Sequence, residues 1–565
     1  MKKKLLKIAA FLVAFTMTAA LFAGCGKSGE NGSPEDASTP ASSQTSTAAG
    51  EKTADDKYAP IEGKKYTIST CHMGYAEVSK DSEILKNYET LFNVELKPVF
   101  IDPSKYDELL NLKFASNEIP DIIIAKGLDK FAKYQQQGLL TEVPFDAIEK
   151  YSPDLYSIIS EEAPMGWSQT QLDGKNYGIP YIIGGNKFTD AIIWRDDWLK
   201  NVGINKLPET IGEFEEAFTK FAKNDPDKNN KNDTYGLSSE GFSTIFAFGV
   251  LIYPFGTYQN VSNKVYWKVQ DDTLVYDGIL PEAKEALKLL AKWYKDGLIN
   301  PEFITGENKG GSWGISHDFV NGRIGYTNRG YWYHWRIEGT VPGSGAGSVA
   351  AEFNKINPSG TFAWGKPPIG PDGKTRGVGK SAVAGGTIYC FSKEMNNEPD
   401  KLGKILQMFN WPEESDENWL YSWGGPEGKY YTMQEVKGND GTVYKMPTYT
   451  EAYTAAEKQS QAGLYQFFYQ ADLKHARLAG PAWIDYQEKN GCDQFGVENA
   501  LQAPLASMTK YITDLDQMRE EAYYKIIIGE KPIEYFDEFV ENWKIAGGAE
   551  MLKEADEFYK SLGKQ

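Results

Sequence analysis

From residue 65 onward the chain switches between a two-residue and a helical hydrophobic rhythm. Residues 65–70 (KYTIST) alternate polar and apolar and predict a strand, 83–92 carry apolar residues at helical spacing, and 94–100 (VELKPVF) predict a second strand. Residues 106–116 (YDELLNLKFAS) return to the helical period until Asn117-Glu118-Ile119-Pro120 breaks it. Residues 121–124 (DIII) then read as a third, buried strand. This β-α-β-α-β order predicts a largely parallel sheet with helices on both faces. Ligands of such sheets bind beyond the carboxyl ends of the strands, here Cys71-His72-Met73-Gly74 and Ala125-Lys126-Gly127. Thr210 and Glu213 form a capping box that opens a helix over 211–223, Pro281 opens another that Gly297 closes, and 397–411 is a third. The last 55 residues or so are mostly helical, ending in a charged helix at 549–562, and no tandem repeat interrupts the order.

Before residue 65 the pattern is of another kind. Lys2, Lys3, Lys4 and Lys7 precede an apolar stretch, 8–22, that is shorter than the ~20 residues a membrane span needs. Small residues follow, so 1–24 reads as a secretory signal. Leu21-Phe22-Ala23-Gly24-Cys25 resembles a bacterial lipobox, with Phe22 where leucine is commoner, which marks Cys25 for lipidation. Residues 25–64 are rich in Gly, Ser, Thr, Ala and Pro and read as a disordered tether reaching roughly 35 Å.

Length and charge narrow the field. At 565 residues the chain exceeds one core, and a formal charge of −18 argues against a nucleic-acid partner, which calls for basic clusters. The four histidines, at 72, 317, 334 and 475, have no i,i+4 partner and so make no zinc motif. Cys71, Cys390 and Cys492 are far apart and odd in number, which excludes a disulfide framework. The nucleophile-elbow, His-Glu-x-x-His and complete phosphate-loop motifs are missing, whereas a pair of catalytic carboxylates can be neither picked out nor excluded among 78 acids.

Two constellations remain. Asp225, Asp227, Asn229 and Asp233 place oxygen side chains at positions 1, 3, 5 and 9 of a loop whose position 7 is the Lys231 carbonyl, an EF-hand-like spacing for Ca2+. Asn230 replaces the usual glycine at position 6, and Gly236 the bidentate Glu at position 12. A solvated polar turn is the alternative. Aromatics are unusually dense, at 13%. They cluster in 325–336 (GYTNRGYWYHWR) and 421–431 (YSWGGPEGKYY), as sugar rings require for their C–H faces. Tyr326, Tyr331, Trp332, Trp335, Trp423 and Trp194 are the candidate platform, with Trp167 and Trp364 as further members. His72 faces the expected cleft as a hydrogen-bonding group, and Arg329 or Arg336 could hold a uronate carboxylate. For each of these, core packing or bracing of a neighbour is the competing reading.

The order LLNLKFASNEIPDIII, Asp173-Gly174-Lys175-x-Tyr177-Gly178-Ile179-Pro180-Tyr181, Trp194-Arg195-x-Asp197-Trp198-Leu199 and Lys292-Trp293-Tyr294-Lys295-Asp296-Gly297-Leu298-Ile299-Asn300-Pro301 covers the chain from about residue 65. It resembles the extracellular solute-binding proteins of carbohydrate ABC importers (family 1), in particular their large Gram-positive lipoprotein branch. The resemblance implies a two-lobed α/β fold of the periplasmic-binding-protein type (type II, maltose-binding-protein-like), with a hinge and an inter-lobe cleft. Lobe 1 would comprise 65–185 with about 380–430, and lobe 2 186–379 with parts of 431–565, which also supply hinge helices. The chain would cross near 181–193 and return near 378–391. The resemblance further implies a monomer, lipid-anchored on the outer face of the cell membrane, that binds an oligosaccharide, holds a structural Ca2+ in the 225–233 loop and delivers its ligand to an ABC permease without chemistry of its own. A secreted glycan-degrading enzyme and an envelope adhesin or scaffold are the competing readings.

Overall fold

The computed structural model describes residues 56–562 except 75, 103–104, 183–190, 240–247, 259–266, 306–313, 329–331, 337–346, 378–382, 438–440, 451–452, 454, 465–472, 498 and 502. The alternating segment becomes β1 (Tyr66–Met73), α1 (Glu83–Phe92), β2 (Val94–Ile101), α2 (Tyr106–Ala115), β3 (Ile122–Lys126) and α3 (Leu128–Gln136). Helix α1 starts where the Ser82 hydroxyl accepts the Leu85 amide and stops at Asn93 in the left-handed region. Strands β1 and β2 pair in parallel from Tyr66↔Val94 to Met73↔Ile101, and β1 meets β3 in parallel at Thr70↔Ile122. Helix α4 (Phe145–Tyr151) and β4 (Gly178–Ile182) follow.

The next strand, β5 (Ile193–Arg195), belongs to a different sheet. Two helices pack around it, α5 (Ile211–Lys223), whose Thr210–Glu213 capping box is complete, and α6 (Pro281–Lys295). Strands β6 (Tyr326–Thr327) and β7 (Phe362–Trp364) flank β5 antiparallel on either side. The chain then returns to the first sheet as β8 (Val383–Phe391), giving the order β2-β1-β3-β8-β4. Four of its five strands, β2, β1, β3 and β4, run in one direction, so the sheet is largely parallel, and β8 alone runs antiparallel, between β3 and β4. It enters from the side of the second sheet, so its first residues lie against the carboxyl end of β3, with Thr387 opposite Lys126. Gly178 permits this close pairing: a Cβ there would sit 2.6 Å from the Tyr389 carbonyl and 2.5 Å from Ile388.

The C-terminal third divides among these cores. Helix α7 (Pro399–Asn410), α8 (Asp416–Gly424) and the hairpin β9 (Tyr431–Lys437)–β10 (Val443–Tyr449) cover one face of the five-stranded sheet, with Leu402, Ile405, Trp419 and Tyr449 buried beside Tyr66 and Ile68. In α9 (Pro481–Lys489), Trp483 and Ile484 join Trp335 and Trp364. Helices α10 (Ala506–Ile527), α11 (Tyr535–Trp543) and α12 (Ala549–Leu562) complete the largest core, around Trp194, Phe218 and Trp293.

Residues 56–64, expected to belong to the tether, are fastened to this body. Asp56 Oδ2 accepts from Lys150 Nζ at 2.6 Å and Tyr151 Oη at 2.5 Å, which holds its carboxyl at about 2. Composition hid this, because the partners lie about 90 and 340 residues further on.

Candidate functional site

The two sheets are joined by the passage from β4 to β5 and the return from β7 to β8. The ligand-binding edge expected from topology is the carboxyl end of β1, β3 and β4, beside the first residues of β8. Tyr181 stands one residue before the end of β4, half-buried, with its ring 6.1 Å from that of Tyr389 on β8 and at 75° to it. At the end of β3, half-buried Lys126 sits 4.3 Å above the Tyr106 ring, and burial lowers the affinity of its ammonium for the proton. His72 lies on β1, paired with Phe100 of β2; its side chain is outside the described residues.

The aromatic candidates separate. Trp194 is fully buried, enclosed by Phe214, Phe218, Phe221 and Tyr326, and Tyr326 itself is buried in the same cluster. Trp335 is fully buried against Phe319 and Phe362. These three are core residues, which corrects their assignment to the platform: Phe214 and Phe218 of α5 close over Trp194 and Tyr326, and Phe319 and Phe362 close over Trp335, leaving no face for a ligand. Trp167 and Trp364 are buried too, and their indole N–H groups donate to Ser160 Oγ and the Trp335 carbonyl. Arg336 is buried with Nη2 2.6 Å from Met446 Sδ of β10, so it is enclosed between two segments. His334 is buried and pushed down to about 4 by desolvation, hence neutral at physiological pH. Cys25, Arg329 and Tyr331 lie outside the described residues, as does the side chain of Trp332.

Among the named platform residues whose side chains are described, Trp423 alone is half-exposed. It stands inside a ladder of stacked rings: His475 on Trp419 at 4.5 Å, Trp419 on Trp423 at 5.8 Å, and Trp423 on Tyr449 at 5.3 Å. The Tyr449 hydroxyl donates to the Trp423 carbonyl at 3.1 Å, which fixes the hairpin on α8. The ring is thereby rigid, and what it can offer a ligand is the part that Trp419 and Tyr449 leave exposed. Reading by cluster density missed Tyr181 and Tyr389. Tyr181 did carry a signal, closing the Tyr177-Gly178-Ile179-Pro180 run at a strand end.

The acidic loop, 225–233, is a tight and largely exposed turn. Asp225, Lys228 and Asn230 take positive φ values of 46°, 59° and 60°, and Asp225 accepts from the Asn229 and Asn230 amides at 3.0 Å each. Asn229 Nδ2 donates to Asp227 Oδ2 at 2.8 Å and to the Asp233 carboxylate at 3.2 and 3.4 Å. Burial, with Asp225 and Asp233 adding to it, raises the Asp227 carboxyl. Among the described residues, no three His, Cys, Asp or Glu side chains stand close enough to hold a metal ion as placed.

Comparison with known proteins matches residues 83–399 to the family model for bacterial extracellular solute-binding protein. Lipoprotein LipO of Bacillus subtilis (strain 168) is 26% identical over 507 residues, 86% of this chain and 90% of that protein. The polygalacturonan/rhamnogalacturonan-binding protein YtcQ of the same strain is 24% identical over 503 residues, 88% and 92% of the two chains. Among solved structures, alginate-binding protein AlgQ2 without calcium ion superposes with a TM-score of 0.65 at 19% identity, over 89% of this chain and 99% of that one. The fold is thus the two-lobed solute-binding one, and the chain belongs to the bacterial extracellular solute-binding proteins.

Proposed function

We propose that this chain is the substrate-capturing component of an ABC importer, binding an oligosaccharide between its two sheets and handing it to a permease without transforming it. The observation that carries the reading is the pair of α/β bodies joined by crossing backbone in a family of extracellular solute-binding proteins. The name of the relative YtcQ supports a carbohydrate ligand. Half-exposed Trp423 and Tyr181 are the aromatic groups we assign to ligand contact. Binding by both bodies favours the closed arrangement only through the ligand's greater affinity for it. The lipobox-like run ending at Cys25 supports anchoring of the chain, as a monomer, to the outer face of the cell membrane.

We also assign calcium to the 225–233 loop. What supports the assignment is the spacing of oxygen side chains around one turn; the Asn229 amide N–H, which here donates to Asp227 and Asp233, would give way to its own oxygen. Asp225, Asp227, Asn229, Asp233 and the Lys231 carbonyl would hold the ion, a structural brace after α5.

The test is thermal unfolding of the full chain with Cys25→Ser, against plant and microbial oligosaccharides, with calcium and with chelator. A ligand at ~100 times its dissociation constant adds about 2.7 kcal/mol. A sugar-specific rise without products supports the receptor; products in the mixture would replace it with the enzyme reading, and no shift with any sugar with the adhesin.

A further inference from the structure

Residues 56–64 make more contact with the body than a linker needs. Besides the Asp56 contacts to Lys150 and Tyr151 on α4, the Tyr58 amide donates to Asp56 Oδ1 at 3.0 Å and the Ile61 amide to the Tyr66 hydroxyl at 2.8 Å. That hydroxyl donates to Asp400 Oδ2 at 2.8 Å, and Lys64 Nζ reaches the same oxygen at 2.6 Å. The Tyr58 carbonyl lies against the Cα of Gly403 in α7, where any Cβ would collide with it, and Pro60 closes the same spot. Gly403 has ordinary helical surroundings otherwise, so it is the approach of this segment, rather than backbone conformation, that demands glycine there.

We propose that 56–64 is a strap that fixes where the chain leaves the body, and thereby sets how far the body can move from its anchor. The strap lies at the start of β1, the edge of the sheet opposite the carboxyl ends of the strands. An eight-residue strand separates the two edges by roughly 26 Å. This rests on the lipid-anchored receptor reading above: the exit point and the ligand edge lie at opposite ends of the parallel strands, so presenting the ligand edge to a membrane-embedded permease requires the chain to reach back around the body. Counted from Cys25, residues 26–55 supply that reach. A coil of thirty residues would span about 30 Å r.m.s., and at most about 100 Å if extended. The strap keeps nine further residues, 56–64, from adding to it.

The strap itself is tested by amide hydrogen exchange on the full chain with Cys25→Ser. The amides of Tyr58, Ala59, Ile61 and Lys64, each hydrogen-bonded here, should be protected, and Gly403→Leu should lower that protection by about tenfold or more. Asp56→Ala, on the surface, should do the same without touching α7. Unprotected amides in the unaltered strap would overturn the proposal whatever the protein binds. Its consequence is tested in cells with the lipidated chain: deleting 31–50 should abolish ligand uptake while the purified protein binds sugar with unchanged affinity, and adding Gly403→Leu or Asp56→Ala should restore uptake by freeing the strap. Full uptake by the deleted chain, or no recovery with either release, would overturn the role in reach. Failure of the purified protein to bind any sugar would instead remove the receptor reading, leaving the exchange result to judge the strap.

Discussion

Asp277 is a buried carboxylate that should reverse the usual dependence of stability on pH in its part of the molecule. It follows the hairpin of Trp267–Gln270 and Thr273–Tyr276, with no side-chain exposure. Its Oδ2 accepts the Tyr258 amide at 2.7 Å, and Lys268 Nζ stands 2.9 Å from Oδ1. Glu282 shares that lysine at 3.4 Å, and the Tyr523 hydroxyl of α10 is spent on the adjacent Gly278 carbonyl. Desolvation outweighs Lys268 and the Tyr258 amide, and pushes the carboxyl from 3.8 up to about 6. A carboxyl whose folded pKa is raised binds its proton more tightly folded than unfolded. Its contribution is therefore most favourable below pH 4 and is lost as pH rises from about 4 to about 6, after which it is constant. Two pKa units correspond to about 3 kcal/mol. Asp277→Asn keeps the acceptor for Tyr258 and removes the titration. In urea unfolding at pH 4, 5, 6 and 7.5, the stability of Asp277→Asn relative to the unaltered protein should rise by about 3 kcal/mol between pH 4 and 6.5 and then level off. Parallel curves across that window would mean that Lys268 keeps the carboxylate ionised throughout, and would refute the argument from burial.

Trp423→Ala should weaken sugar binding by about tenfold in calorimetry while the protein stays folded, with a loss of about 1–2 kcal/mol in denaturant because the half-buried ring also stacks on Trp419 and Tyr449. Trp194→Ala should instead cost about 3–5 kcal/mol in denaturant unfolding, because the ring is enclosed on every side. Asp227→Asn should remove the rise in unfolding temperature that calcium is expected to give, while sugar binding in excess calcium persists; an undiminished rise would place the ion elsewhere. Thr210→Ala should lose about 1 kcal/mol from its half of the capping box, visible as a lower midpoint in denaturant.

Local signals were legible wherever the deciding interactions lie within a few residues. Helix α1 ends where Asn93 can turn left-handed, and α5 begins at Thr210 because the hydroxyl and Glu213 close on each other's backbone. The direction of β8 was not legible: nothing in Val383–Phe391 records that the chain arrives from the other sheet. The aromatic cluster failed for a related reason. Tyr326 and Trp335 have the same neighbours in sequence whether they face a ligand or a core. What decides between the two is that Phe214 and Phe218 of α5 close over Tyr326 from about 110 residues away, while Phe319 and Phe362 close over Trp335. Trp423 escaped that fate because α8 and the β9–β10 hairpin stack its ring on Trp419 and Tyr449 without covering it. The same rule explains residues 56–64. Their composition is that of a linker, yet Gly403 leaves room for the Tyr58 carbonyl and Asp400 gathers Tyr66 and Lys64, so these residues are held by contacts some 340 positions distant. Long-range packing, rather than local propensity, therefore assigns residues to tether, core or ligand face in this chain. Gly403→Leu, which looks silent in the sequence, should accordingly free a segment some 340 positions away.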